Sequence, residues 1–393
     1  MDEIEELLTR GVANIVPGKE NLEKLFRSGK KLKIYNGIDP TTTKIHLGHV
    51  VPLRKLKKLA ELGHEVIFLV GDFTALIGDT SDKDSERPSL TPEQVKENLK
   101  NYKTQAAKIL DFDKVQIKFN SEWLNNLSFK EIIKLCQNFS ANDFLSRELI
   151  RKRLDDKKRV GLHEFLYPVA QGYDHYHLDT DLQIGGTEQT FNMQAGRILM
   201  KHLRDKDSFF LTLNTLEGTD GRKMTKTWGN AIWLQDSPND MYAKIMAIKD
   251  ELIIQYYLLA TDISMDEIEE VKIKIKSEKN PMSSKKDLAH KIVSELHNPD
   301  DADNAAQNFK KTVQQKEMPQ EVQEIKITEN VSDFYDLLFK TNLASSRAEA
   351  KRLIDQGGVS IDGKNIKNEP FFKAKEDSII QVGKRRFIKV RYS

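Results

Sequence analysis

The chain has 393 residues and a formal charge of +2, enough length for two or three domains and a substantial core. A near-balanced charge means that any nucleic-acid contact must come from local basic patches rather than from an overall field. Cys136 is the single cysteine, which excludes intramolecular disulfides and multi-cysteine zinc sites and fits a reducing compartment.

No apolar run approaches the length of a membrane span, and the acidic first ten residues lack the apolar segment of a targeting peptide. A cytoplasmic protein without a membrane partner is expected. In chain order, residues 2 to 30 read as one or two amphipathic helices with a structural role. Leu32, Ile34 and Tyr35 then alternate with polar residues as in a strand, and Gly37, Asp39 and Pro40 mark a turn. Val50, Leu53, Leu56 and Leu59 recur at helical spacing up to Gly63, which puts His46, Gly48 and His49 in the first turn of a helix. Unpaired N–H groups and the positive end of the macrodipole favour phosphate oxygens there. Gly48 lacks a Cβ, so an adenine ring can lie against the backbone, and both histidines can donate to a polyphosphate. Read alone, the same pair is also compatible with half a metal site or a plain polar helix start.

Residues 64 to 72 form a continuous apolar run of the kind found in buried parallel strands. Strand, helix and strand make a βαβ unit, with the histidine turn at the carboxyl end of the first strand, where open α/β sheets bind ligands. Residues 120 to 166 carry Ile132, Ile133, Leu135, Phe144, Leu145, Leu149 and Ile150 at helical spacing. Further on, Tyr167, Gln171 and Asp174 fall at i, i+4 and i+7, so one helix face presents a phenol, an amide and a carboxylate. Residues 219 to 230 form a glycine-punctuated loop with Lys223 and Lys226. Residues 232 to 325 are helix-forming and lysine-rich, and Asn280-Pro281 separates one helix from the next.

From residue 331 onward the charge concentrates: 13 Lys and Arg stand against 8 Asp and Glu. Ser346 and Glu349 form a capping box ahead of a helix bearing Arg347, Lys351 and Arg352, and Gly357-Gly358 ends it. Val359, Ile361, Ile379, Ile380, Val382 and Phe387 suggest short strands.

Four stretches carry a family resemblance. His46-Leu47-Gly48-His49 and Lys223-Met224-Thr225-Lys226-Thr227 resemble the two signatures of class I aminoacyl-tRNA synthetases. Residues 73 to 87, with Ile77-Gly78-Asp79 followed by Lys83 and Arg87, resemble a tyrosyl-tRNA synthetase segment in which Thr80 and Asp82 stand where that family has Pro and Gly. Tyr167 to Gln189, ending Gln183-Ile184-Gly185-Gly186-Thr187-Glu188-Gln189, is similar to the tyrosine pocket of the same family, with Glu188 for its usual Asp. The tail resembles the small RNA-binding domain of a ribosomal small-subunit protein.

The resemblance to bacterial-type tyrosyl-tRNA synthetases implies an α/β fold with a Rossmann-like parallel-sheet catalytic domain over 1–222, including a helical dimerisation insertion at about 120–166. It implies the Lys223 loop and a helical anticodon-binding domain over 223–325, then a small α+β RNA-binding tail over 331–393. The implied reaction joins tyrosine to ATP as tyrosyl-adenylate and then transfers it to tRNA. Thr41, His46, His49, Lys83, Arg87, Lys223 and Lys226 would serve catalysis. Tyr35, Asp79, Tyr167, Gln171, Asp174 and Gln189 would bind tyrosine, with Tyr35 and Asp174 on its hydroxyl and Asp79, Tyr167 and Gln171 on its ammonium. Gly37, Asp39, Gly48, Gly186, Glu188, Met224 and Lys226 would bind ATP. Arg347, Lys351, Arg352, Lys384, Arg385 and Arg386 would bind RNA. Mg²⁺ would arrive with ATP, no metal would be held by the protein, and the enzyme would be a homodimer. A tryptophanyl enzyme, a non-catalytic RNA-binding paralogue and a nucleotidyltransferase are the competing readings.

Overall fold

A computed structural model describes residues 2–81, 90–225, 228–277, 280–314, 323–327, 333–344, 346–366, 377–383 and 386–392. The chain forms two compact units, Met1–Ala302 and Asp303–Ser393.

The first unit is built on a six-stranded sheet of β1 (Val12–Val16), β2 (Lys33–Ile38), β3 (Glu65–Val70), β4 (Val115–Phe119), β5 (Leu182–Gly186) and β6 (Phe209–Leu213). Their spatial order is β1-β6-β5-β2-β3-β4. All neighbours are parallel except β1, which runs antiparallel to β6 at the edge. From β2 the chain winds outward to β3 and β4, then returns to place β5 on the other side. The crevice between the carboxyl ends of β2 and β5 is therefore the topological switch point, where such sheets bind ligands.

The expected βαβ unit is present. Val66 to Val70 of β3 are all buried, and the intervening helix Leu47–Glu61 buries Leu47, Val50, Val51, Leu53, Leu56 and Leu59 before ending at Gly63 with φ +85°. The amino-terminal stretch departs from expectation. Between the helices Glu3–Leu7 and Lys19–Arg27 lies the strand β1, whose short run of Val12, Ile15 and Val16 finds its ladder partners on β6, some 200 residues away in the chain. Such pairing overrides a local helical pattern.

Helices Phe129–Cys136, Ala141–Leu145 and Glu148–Asp155 form the insertion after β4. Leu135, Phe144 and Ile150 point inward, whereas Phe129 is 77% and Leu162 is 80% exposed. Helices Pro238–Met246, Ile253–Ala260, Met265–Ser277 and Met282–Leu296 follow β6, and Pro281 caps the last of these. No helix among the described residues is long and apolar enough to cross a membrane.

The second unit has a five-stranded sheet of β7 (Gln323–Ile327), β8 (Val359–Ile361), β9 (Lys364–Asn365), β10 (Ile379–Val382) and β11 (Arg386–Tyr392), in the order β7-β11-β10-β8-β9. Helices Phe334–Lys340 and Arg347–Asp355 complete a core of Leu337, Leu338, Ile354, Ile380, Ile388 and Val390. The expected helix and strands of the tail are in place. Strand β7 falls in a stretch that reads locally as helix-forming, and it is held as a strand by parallel pairing with β11.

Candidate active site

The carboxyl ends of β2 and β5 open into a cavity of about 480 Å³. Every candidate tyrosine or nucleotide residue among the described residues lines it: Tyr35, Gly37, Asp39, Thr41, His46, Gly48, His49, Asp79, Tyr167, Gln171, Asp174, Gly186, Glu188, Gln189, Lys223 and Met224. Lys83, Arg87 and Lys226 lie outside the described residues.

At the end of the cavity formed by the helix start, His46 is the N-cap of the helix Leu47–Glu61, one position ahead of the expected first turn, with extended backbone. Its Nδ1 accepts the Gly48 N–H at 3.1 Å, and the His49 Nδ1 accepts the His46 N–H at 3.3 Å. Two histidines thus form a reciprocal capping box in place of the usual Ser and Glu. Because both Nδ1 atoms accept backbone protons, each neutral ring carries its proton on Nε2 and remains a donor there. Desolvation, reinforced by the neighbouring His49 and Lys223, pulls the His46 pKa down to about 2. Desolvation and Lys223 pull that of His49 to about 4. A Cβ on residue 48 would stand 2.9 Å from the His46 ring, so the cap itself calls for glycine there.

The segment just after the lysine loop is tied to this helix entry. Leu47 N–H donates to the Ile232 carbonyl and Leu234 N–H to that of Ile45, both at 2.9 Å, and the rings of His46 and Trp233 meet edge to face. Within the loop, Asn230 is buried. Its Oδ1 accepts the Thr225 N–H at 2.9 Å, and its Nδ2 donates to the Lys223 carbonyl at 3.1 Å and to Asp220 at 2.8 Å. Together with the Arg222 guanidinium, that amide holds the Asp220 carboxyl below the usual carboxylate range. The Tyr256 hydroxyl donates to the Glu217 carbonyl at the base of the loop.

At the other end, the helix Leu166–Leu178 presents Tyr167, Gln171 and Asp174 to the cavity. Asp174 is buried. Its Oδ1 accepts the Trp123 indole N–H at 2.7 Å and its Oδ2 the Asn120 amide at 3.1 Å. Burial pushes its pKa up to about 8, against the downward pull of those two donors. The Tyr35 hydroxyl donates to Gln183 Oε1 at 3.0 Å. Tyr167 donates to Asp39 Oδ2 at 2.9 Å, and Asp39 also accepts from Thr74 at 2.7 Å. Asp79 accepts the Ser81 N–H and hydroxyl and the Gln189 amide. Asp39, expected with the nucleotide, and Tyr167, expected with the ammonium, are thus bonded to each other.

Asn120, Trp123, Gln183 and Asn230 are functional candidates that the sequence reading missed. Asn120 and Trp123 belong to the short helix Ser121–Leu124 and its N-cap, just after β4, and only the fold brings them to Asp174. In the tail, Lys351 and Arg352 lie on the helix Arg347–Asp355; Arg352 pairs loosely with Glu349 at 3.8 Å, and Arg347 forms ion pairs with Asp333 and Asp336. The Arg386 guanidinium donates to the Leu343 carbonyl. Lys384 and Arg385 lie outside the described residues.

Residues 27–314 match the family model of class I tRNA synthetases (W and Y), and residues 336–370 match that of the S4 domain. The chain is 42% identical to a tyrosine–tRNA ligase of Carboxydothermus hydrogenoformans, over 98% of this chain and 97% of the relative. It is 40% identical to that of Thermotoga maritima, over 98% and 96%. Among solved structures, a tyrosyl-tRNA synthetase from Archaeoglobus fulgidus complexed with L-tyrosine superposes with a TM-score of 0.61 at 25% identity, covering 78% of this chain and 100% of the other. A truncated mitochondrial tyrosyl-tRNA synthetase of Aspergillus nidulans gives a TM-score of 0.67 at 22% identity, covering 78% and 93%, a likeness of fold.

Proposed function

Because this chain belongs to the tyrosine–tRNA ligases, within the class I tRNA synthetases of the W and Y type, we propose that its cavity activates tyrosine with ATP and that the tyrosyl group then passes to tRNA(Tyr). The observation that carries this reading is the polarity of the cavity. A phenol and a carboxyl, Tyr35 and Asp174, line one end, and a histidine-capped helix start with Lys223 lines the other.

In the first step a tyrosine carboxylate oxygen forms a bond to the α-phosphorus of ATP, and the bond to the bridging oxygen breaks to release pyrophosphate. A carboxylate is already a nucleophile, so the protein supplies position and charge stabilisation rather than a base. Thr41 and the Nε2–H groups of His46 and His49 donate to phosphate oxygens, and Lys223, Lys226, Lys83 and Arg87 supply positive charge. Neutral histidines suit this role, because they donate without titrating in the physiological range. Gly37, Asp39, Gly48, Gly186, Glu188 and Met224 hold the adenosine part. Asp79, Tyr167, Gln171 and Gln189 hold the ammonium end of tyrosine. Mg²⁺ enters on the phosphates of ATP; among the described residues no group of three or more His, Cys, Asp or Glu is placed to hold a metal ion. In the second step a terminal ribose hydroxyl of tRNA attacks the activated carbonyl and AMP leaves.

A site that hydrogen-bonds a substrate hydroxyl rejects the analogue lacking it by roughly 10⁴- to 10⁵-fold, a value that comes from tyrosyl enzymes themselves rather than from this chain. We further propose a homodimer through the insertion, where Phe129, Ile133, Leu145, Leu154 and Leu162 are exposed apolar side chains. The S4 tail would contact tRNA phosphates through Lys351, Arg352 and its basic turn. Charging of tRNA(Tyr) with labelled tyrosine, and not with tryptophan, is the expected result; charging with tryptophan would contradict the reading.

A further inference from the structure

We propose that Gln183 stores the Tyr35 hydroxyl proton while the pocket is empty and releases it to the incoming tyrosine phenol, so that Asp174, rather than Tyr35, carries most of the discrimination against phenylalanine. The inference rests on the reading of this cavity as a tyrosine site.

Tyr35 and Gln183 are register partners on the adjacent parallel strands β2 and β5, so their side chains leave the same face of the sheet. Both are buried, and the Tyr35 hydroxyl lies 3.0 Å from Gln183 Oε1. The amide cannot be reversed. Its Nε2 donates to the Met193 carbonyl at 2.9 Å, and turning it over would set the amide oxygen against that carbonyl oxygen, two acceptors face to face with no donor between them. Space for the amide exists because residue 196 is glycine; a Cβ there would stand 2.9 Å from both amide heteroatoms. The Tyr35 ring is stacked on His175, whose two ring nitrogens bond Thr180 and Ser208. What Tyr35 can still change is the rotation of its hydroxyl hydrogen.

The phenol of tyrosine has one proton and two lone pairs. Asp174, with N–H donors on both oxygens, accepts that proton. With its own proton still on Gln183, the Tyr35 oxygen would then face a lone pair with a lone pair. Rotation about the Tyr35 C–O bond turns the proton onto the substrate oxygen and leaves Gln183 Oε1 without its donor. The new bond is offset by the one given up. Phenylalanine triggers no rotation, so Tyr35 stays satisfied by Gln183, and only Asp174 faces a missing partner. Gln183 acts through Tyr35 and is a positioning residue.

The test compares kcat/KM for tyrosine and phenylalanine in ATP–pyrophosphate exchange for the wild type and for Gln183→Met, Tyr35→Phe and the double variant. Gln183→Met removes the competing acceptor at nearly constant volume, so the tyrosine-to-phenylalanine ratio should rise by roughly 2- to 10-fold, the span of one ordinary hydrogen bond. In the Tyr35→Phe background the same substitution should leave the ratio unchanged. Tyr35→Phe alone should lower the ratio by no more than roughly 10-fold, an arm that does not depend on how Gln183→Met folds. A ratio that stays level or falls in Gln183→Met, a rise that persists without the Tyr35 hydroxyl, or a hundredfold loss in Tyr35→Phe would each overturn the proposal. Failure of the wild type to exchange with tyrosine would instead overturn the tyrosine reading beneath it.

Discussion

Asn230→Ala is expected to disable the lysine loop while leaving the tyrosine pocket intact. The Asn230 side chain accepts the Thr225 N–H at 2.9 Å and donates to the Lys223 carbonyl at 3.1 Å, fixing the backbone on both sides of Met224. At about 0.5–1.5 kcal/mol net for each bond, their loss weakens the ordered loop by about 1–3 kcal/mol. If the loop must be ordered for Lys223 to reach the transferring phosphate, adenylate formation slows by roughly 5- to 150-fold. The affinity for tyrosine, bound at the far end, should change little. Single-turnover adenylate formation followed by tryptophan fluorescence gives the rate, and thermal unfolding shows whether the fold is retained. Asn230→Asp serves as a control that keeps the acceptor for Thr225, loses the donor and sets a carboxylate against Asp220. An adenylation rate within twofold of wild type in a folded Asn230→Ala protein would refute the argument.

Three further outcomes follow from the same geometry. With pKa values near 2 for His46 and 4 for His49, both rings stay neutral above pH 5. The pH profile of kcat/KM for ATP should therefore show no step near 6.5 that disappears in His46→Asn or His49→Asn, and such a step would show that a ring acts as imidazolium. Asp174 has its pKa raised to about 8, so it is neutral below and ionised above that value; the ionised form is the better acceptor, and KM for tyrosine should fall as the pH is raised from 7 to 8.5. Asp174→Asn should remove that trend and weaken tyrosine by roughly 10- to 100-fold, with phenylalanine nearly unaffected, and a pH-independent wild-type KM would contradict the assignment. Phe129→Asp combined with Leu162→Asp places two charges on the exposed face of the insertion and should yield monomers in sedimentation equilibrium; an unchanged dimer would locate the contact elsewhere.

Features with local periodicity were legible in the sequence. Tyr167, Gln171 and Asp174 repeat at helical spacing and do share one face of the helix Leu166–Leu178, and β3 announced itself as an unbroken apolar run. The histidine pair was legible as a helix start but not as its cap, because capping through an imidazole Nδ1 has no common sequence signal. Strands β1 and β7 were hidden because each is a five-residue segment whose conformation is decided by a partner far away in the chain. The supports of the site were hidden for the same reason: Trp123 reaches Asp174 across 51 residues, and Tyr35 reaches Gln183 across 148. Arg347 reads as one more RNA-facing cation, and only the packing of the two tail helices shows it paired with Asp333 and Asp336.

The most direct test of the account is amino-acid-dependent exchange of labelled pyrophosphate into ATP, run without tRNA on tyrosine, phenylalanine and tryptophan in parallel. Tyr35 and Asp174 in the same cavity as a histidine-capped helix start lead to the expectation of exchange with tyrosine and none above background with the other two. Exchange driven by tryptophan would contradict the pocket, and no exchange with any of the three would contradict activation chemistry at this site.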